Sequence, residues 1–136
     1  MKNFLVVIIL LFGIQFASAQ DDYKTNLYNY VENVLGLRTI ANTDRDANLN
    51  IVSDENKILF STKYNEILDE YILEVVGVYN VYYENNPQII LDAVQSQNAN
   101  LPELVNQVEM NQYIYNFTQI YNDKITYLKQ KYVIHP

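Results

Sequence analysis

From Lys57 to Tyr83 the chain reads KILFSTKYNEILDEYILEVVGVYNVYY, with no proline and one glycine. Phe60, Tyr64, Ile67, Tyr71, Val75, Val78 and Tyr82 recur in steps of three and four, the spacing that lines side chains along one face of an α-helix. Thr62, Glu66, Asp69, Asn80 and Glu84 fall on the opposite side. The second half is rich in β-branched and aromatic residues, which by composition also suits a strand. The register unbroken from Phe60 favours a helix about 40 Å long at 1.5 Å per residue. Leu73, Val76 and Val81 make that helix apolar on more than one face, so it belongs at the centre of the fold. The rest of the chain has to cover it.

The N-terminal leader does not provide that cover. It reads MKNFLVVIILLFGIQFASAQ, with Lys2 ahead of an apolar run from Phe4 to Ile14 and the small residues Ala17 and Ala19 flanking Ser18. The run is short for a membrane span and has the length of a signal-peptide core. Cleavage is expected after Ala19, leaving 20–136 as a single helical domain that is secreted or periplasmic. There is no cysteine, so neither a disulfide nor an N-terminal lipidated Cys is available, and the domain must be held by its core alone. No later run is long and apolar enough to suggest a membrane span.

Four helices account for the sequence. A first helix over 21–35 places Tyr23, Leu27, Tyr30, Val31 and Val34 inward and stops at Gly36. The long helix follows over 54–84, with Ser53 as its cap. A short third helix over 89–97 turns Ile90, Ala93 and Val94 inward, preceded by Asn86 as cap and Pro87 in the first turn. The fourth helix spans 101–132, with Asn100 and Glu103 at capping-box spacing and Pro102 in the first turn. Its apolar stripe includes Leu104, Val108, Tyr115, Phe117, Tyr121, Ile125, Leu128 and Tyr132. The fold class is all-α, a bundle of two long and two shorter helices with antiparallel neighbours.

Between the first two helices, Arg38 to Val52 reads as an irregular, Asx-rich loop. Asp44, Asp46, Asn48, Asn50 and Glu55 fall at positions 1, 3, 5, 7 and 12 of a helix–loop–helix calcium site. Position 6, which needs glycine for a sharp turn, is Leu49. Weak calcium binding through Asp44–Glu55 is therefore one expectation, and a solvated inter-helix loop the other.

Catalytic chemistry is sparse. His135, the single histidine, is next to the last residue, and the three glycines lie far apart. No His-based triad, thiolate or phosphate-cradling loop can be assembled. Glu66, Glu70 and Glu74, with Asp69 beside them, read as a solvated face. The expectation is a non-enzymatic protein with no cofactor beyond the possibility of calcium.

The formal net charge is −7, and losing Lys2 with the leader makes it more negative. Such a surface repels phosphate backbones, so nucleic acid is not an expected partner. Thirteen tyrosines have a plain source in A/T-rich coding and a functional one in binding surfaces, where Tyr offers contact area at low entropic cost. Tyr79, Tyr82 and Tyr83 on the long helix and Tyr113, Tyr115 and Tyr121 on the last are candidates to line an aromatic cleft. The function expected is a protein-interaction module or accessory subunit of an envelope complex. A small-ligand carrier with a Tyr-lined cleft is the alternative.

Overall fold

The structure is a computed structural model and describes residues 22–133. The expected signal peptide and His135 lie outside the described residues. Five helices are present among them: α1 (22–34), α2 (Leu37–Leu49), α3 (Lys57–Tyr83), α4 (Pro87–Ser96) and α5 (Gln107–Tyr132). The fold is all-α, as expected, with one helix more than the sequence reading assigned. Among the described residues no helix is long and apolar enough to cross a membrane.

The central segment is helical over its whole length, so the strand reading of its second half does not hold. A 3-10 turn over Asp54–Asn56 leads into it. Its buried face drifts from the expected stripe. Phe60, Tyr64, Leu68, Ile72, Val76, Tyr79 and Tyr83 are buried, together with Val75 and Val78. Ile67, Tyr71 and Tyr82 are half-buried at the margin. The physical reason is that α3 is covered from two directions, so its core is a broad wedge and not a single row.

One cover is α1 followed by α2. Tyr30 of α1 meets Tyr79 edge-on at 5.4 Å. Further along, Arg38 reaches Asp69 and Arg45 reaches Asn65. Rising numbers on α1 and α2 therefore match falling numbers on α3, and both run antiparallel to it. The other cover is α5. Lys124 bonds Glu70, Tyr121 stacks on Tyr71 at 4.4 Å, and Tyr82 donates to Glu109. This pairing is antiparallel too. Val52 and Val133 close the far end through an isolated antiparallel bridge.

The largest correction concerns Arg38–Val52, expected as a loop. Residues 37–49 are α2. Asn, Asp and Thr are poor helix formers by intrinsic propensity. Here their side chains turn back onto the helix, Thr43 Oγ1 donating to Thr39 O and Asn48 Nδ2 to Asp44 O. Ala41 is buried and Leu37 and Leu49 pack against the core. Tertiary contact outweighs propensity, and the calcium-loop conformation is not formed.

Gly36 ends α1 as expected, after a π-type turn over Tyr30–Val34 in which Leu35 N donates to Tyr30 O. Its φ of 75° is a left-handed conformation, and α2 starts directly after it. Gly77 is the opposite case. It is exposed in the middle of α3, and an added Cβ would meet nothing within 4 Å. Gly36→Ala is expected to cost roughly 1–2 kcal/mol. Gly77→Ala should add roughly 0.5–1 kcal/mol. Thermal melts followed by circular dichroism check both, and equal shifts of the same sign would contradict the contrast.

The short helix expected over 89–97 is α4, which begins at Pro87 with Asn86 as cap residue, though the Asn86 side chain makes no capping bond. It closes in a Schellman pattern: Gln97 is left-handed, Asn98 N donates to Ala93 O, and Gln97 N donates to Val94 O. Ile90 and Ala93 are buried and Val94 half-buried. The last helix starts at Gln107, not Leu101. The Asn100–Glu103 capping box does not form. Gln107 Oε1 instead accepts from Leu104 N, and the chain through Ala99 and Pro102 lies over the core to accept from the hydroxyls of Tyr30 and Tyr83. The inward row of α5 is also corrected. Met110, Ile125 and Leu128 are buried, while Val108 and Tyr115 are exposed.

Candidate functional site

Helix α5 is only sparsely covered by the core. It runs for 26 residues yet buries only Met110, Ile125 and Leu128. Because α1 and α2 pack on one side of the α3–α5 pair, no helix among the described residues covers the other side. Along it runs a groove of three contiguous hollows, of 420, 250 and 460 Å³. The first two share Ile67 and Lys124, and the last two share Glu74 and Phe117. The groove extends from Lys63 and Tyr132 at one end to Val81 and Glu109 at the other.

Its walls are apolar and in water. Leu73 is 55% exposed, Val81 64%, Tyr113 50% and Ile120 51%. Gly77 lies on the α3 wall between Leu73 and Val81, one turn from each, so the wall has a notch where a side chain would stand. Phe117 forms the floor shared by two of the hollows. A run of exposed apolar side chains in a continuous concavity is the usual mark of a docking surface.

Charge is divided along the groove. Every lysine and arginine falls before Tyr64 or after Asp123. The end near Lys63 therefore also holds Lys124 and Lys131. The hollow around Gly77 has Glu74 and Glu109 as its only charged residues. Among the described residues neither has a lysine or arginine within 4 Å, whereas Arg38, Arg45, Lys57, Lys124 and Lys129 each have an acidic partner. Tyr82 donates to Glu109, and that bond, with some desolvation, pushes the Tyr82 hydroxyl up to about 12.

Of the six tyrosines expected to line one cleft, Tyr82, Tyr113 and Tyr121 line the groove and the other three do not. Tyr79 and Tyr83 are buried against α1, and their rings stack at 6.1 Å. Burial, followed by the neighbouring Tyr83, raises the Tyr79 hydroxyl to about 12. Tyr82 and Tyr113 line the groove near Glu109, and Tyr115 is exposed. Tyr121 stacks on Tyr71, and this pair separates the groove from a second cleft on the other side of the α3–α5 contact.

That second cleft, of 460 Å³, opens between α2 and α5 over the face of α3. Asp44, Tyr64 and Lys129 close one end of it. Tyr64 Oη donates to Asp44 Oδ2 at 2.5 Å, and Lys129 Nζ lies 2.9 Å from the same oxygen. Asn48 adds a longer bond of 3.4 Å to Oδ1. Desolvation works against the charged carboxylate, but the bonds from Tyr64 and Lys129 outweigh it and hold Asp44 below its usual range. Desolvation and the bond to Asp44 push the Tyr64 hydroxyl far up. At the other end the Tyr71 and Thr118 hydroxyls pair at 2.8 Å.

The residues of the calcium reading are dispersed by the helix. Asp44 and Asn48 share one face, Asp46 pairs with Arg45, Asn50 caps α2, and Glu55 lies in the following 3-10 turn. Among the described residues no group of three or more His, Cys, Asp or Glu side chains could hold a metal ion. Asp69 and Glu70, from the acidic face of α3, form ion pairs with Arg38 and Lys124. The sequence reading missed Leu73, Gly77, Val81 and Ile120 as groove residues. A signal for them was present: Leu73, Gly77 and Val81 step by four on the side of α3 away from its main stripe.

Compared with protein-family models, curated proteins and solved structures, the chain shows no match.

Proposed function

We propose that this protein is a non-enzymatic interaction module, secreted or periplasmic, that docks a partner protein in the open groove between α3 and α5. The observation that carries this reading is the exposure of Leu73, Val81, Tyr113 and Ile120 along one continuous concavity. Isolated exposed apolar side chains are ordinary, but a contiguous set in a groove is the usual sign of an interface. The flanking tyrosines Tyr82 and Tyr113 suit such a surface, because each offers apolar area and a polar tip, and the Tyr82 hydroxyl bonds Glu109 at the rim. The acidic surface favours a protein over a nucleic acid as partner.

The reading predicts site-specific photocrosslinking. A benzophenone amino acid placed at Tyr113 or Leu73 should give one discrete adduct in the envelope or medium of the producing cells. The same group at Asp92, on exposed α4, should give none. Adducts of equal yield from all three positions would overturn the reading.

A small-ligand carrier is the second reading, favoured by the cleft between α2 and α5 with its wall of Tyr64, Tyr71 and Tyr121. Asp44 and Tyr64 bond each other there, so their polar atoms are occupied without a ligand. A non-covalent mass retained by the purified protein in native mass spectrometry, with no groove adduct, would favour this second reading.

A further inference from the structure

We infer that the groove half around Gly77 receives a basic amphipathic helix of a partner protein. This rests on the interaction-module reading and adds the partner's chemistry.

The shape points to a helix. The groove lies between two long antiparallel helices, and its walls rise in one-turn steps: Leu73, Gly77 and Val81 on α3, Tyr113, Phe117 and Ile120 on α5. A third helix laid along such a pair buries an apolar stripe between their ridges, as in a bundle. Gly77 lets that helix approach closely. An alanine would fit there without any clash in the free protein and would favour the helix, so its absence serves no internal packing.

The charge points to a basic partner. The apolar half of the groove carries Glu74 and Glu109 and no cation, and no lysine or arginine occurs from Tyr64 to Asp123. Lysines or arginines flanking the stripe of the incoming helix would meet both carboxylates at the rim, where complementary charge selects partners and speeds encounter.

A second copy of this chain is the poorer fit. A two-fold pairing centred on Gly77 would bring Glu74 and Glu109 of both copies together. A head-to-tail pairing would set this half against the end with Lys63, Lys124 and Lys131, where Glu66 and Asp123 stand in the same hollow and offset the cations, and it would build an open chain of copies instead of a closed pair. An anionic membrane surface would be repelled by the same carboxylates.

The test uses the full domain and three synthetic peptides of about 18 residues, roughly 27 Å as helices. They share one leucine stripe and differ in flanking residues: lysine, glutamate or glutamine. Binding is read by fluorescence anisotropy, with sedimentation of the protein alone. The lysine peptide should bind at least about ten-fold more tightly than the glutamine peptide, and the glutamate peptide least. Raising salt from 50 to 500 mM should erase most of that preference. Glu74→Gln and Glu109→Gln should each weaken the lysine peptide by about two- to five-fold, the range of an exposed ion pair. Gly77→Leu, which fills the notch and should leave the helical circular dichroism intact, should weaken it by more than about ten-fold.

Equal binding of all three peptides, abolished by Gly77→Leu, would overturn the basic partner while leaving the interaction module standing. No peptide binding at all would overturn the helix-in-groove inference, and the crosslinking from Tyr113 would then decide the module separately. A dimer of the protein alone that Gly77→Leu dissolves would overturn the foreign partner in favour of a second copy. Lysine-peptide binding insensitive to Gly77→Leu and to both glutamate substitutions would place the contact elsewhere and also overturn it.

Discussion

Replacing Tyr30 with alanine is expected to remove about 3–5 kcal/mol of stability, the range for truncating a large buried aromatic side chain. Tyr30 is 1% exposed and sits where α1, α3 and the segment before α5 converge. Its ring meets Tyr79 edge-on, and its hydroxyl donates to Ala99 O at 2.6 Å. One side chain therefore ties α1 to the central helix and holds down the chain between α4 and α5. The loss is a large fraction of the 5–15 kcal/mol that such a domain has, and should lower Tm by roughly 10–20 °C. Tyr30→Phe keeps the ring and should cost roughly 1 kcal/mol, because the carbonyl of Ala99 loses its donor. Chemical denaturation of the three proteins checks both values. A Tyr30→Phe as damaging as Tyr30→Ala would show that the hydroxyl, not the ring, carries the effect.

The second large effect is expected at Asp44. Its carboxylate joins three helices: Tyr64 of α3 and Lys129 of α5 both bond it from across the cleft, and it belongs to α2. Asp44→Ala leaves the Tyr64 hydroxyl and the Lys129 ammonium without their acceptor and should cost about 1–3 kcal/mol. Tyr64→Phe should cost less, and a double-mutant cycle with Asp44→Ala should show coupling. The group's pKa is lower in the folded than in the unfolded chain. Its ionised form therefore stabilises the fold fully above the unfolded value of about 3.9. That contribution fades as the pH falls below this value and is gone once the folded carboxylate also takes its proton. The Asp44 side chain is 40% exposed, so added salt weakens the pair with Lys129. Denaturation of wild type and Asp44→Asn at pH 7 and near pH 2.5 measures this. The difference between them should shrink at the lower pH, and a difference that grew would reverse the sign argued here.

Asp44 also shows where the sequence was misread. The same residues that spell Asp-x-Asp-x-Asn suit a calcium loop and a solvated turn, and by propensity they disfavour a helix. What makes 37–49 a helix is non-local: Ala41 against the core, Asp44 to Tyr64 and Lys129, Arg45 to Asn65, Arg38 to Asp69. None of those partners lies within one helical turn, so no local pattern could reveal them. The candidate site was half legible. Tyr82, Tyr113 and Tyr121 are at the groove, but Tyr79 and Tyr83 are core and Tyr115 stands apart. A single helical stripe does not say which of two covered sides a given residue faces.

By itself the sequence determined the class of fold and its axis. The three–four recurrence from Phe60 selects a helix over a strand, because only helical geometry brings side chains at that spacing onto one face. It also determined the stop at Gly36, where a left-handed residue is needed, and the start at Pro87, where a missing N–H is tolerated. It determined the division of charge, because no lysine or arginine is encoded between Tyr64 and Asp123. Tertiary structure alone decided that α1 and α2 lie on one side of α3 and α5. That choice buried Tyr30, Tyr79 and Tyr83 and left Leu73, Val81, Tyr113 and Ile120 in water. Burial of a residue on a helix apolar on several faces depends on which neighbours arrive, and those neighbours are held by contacts between residues distant in the chain.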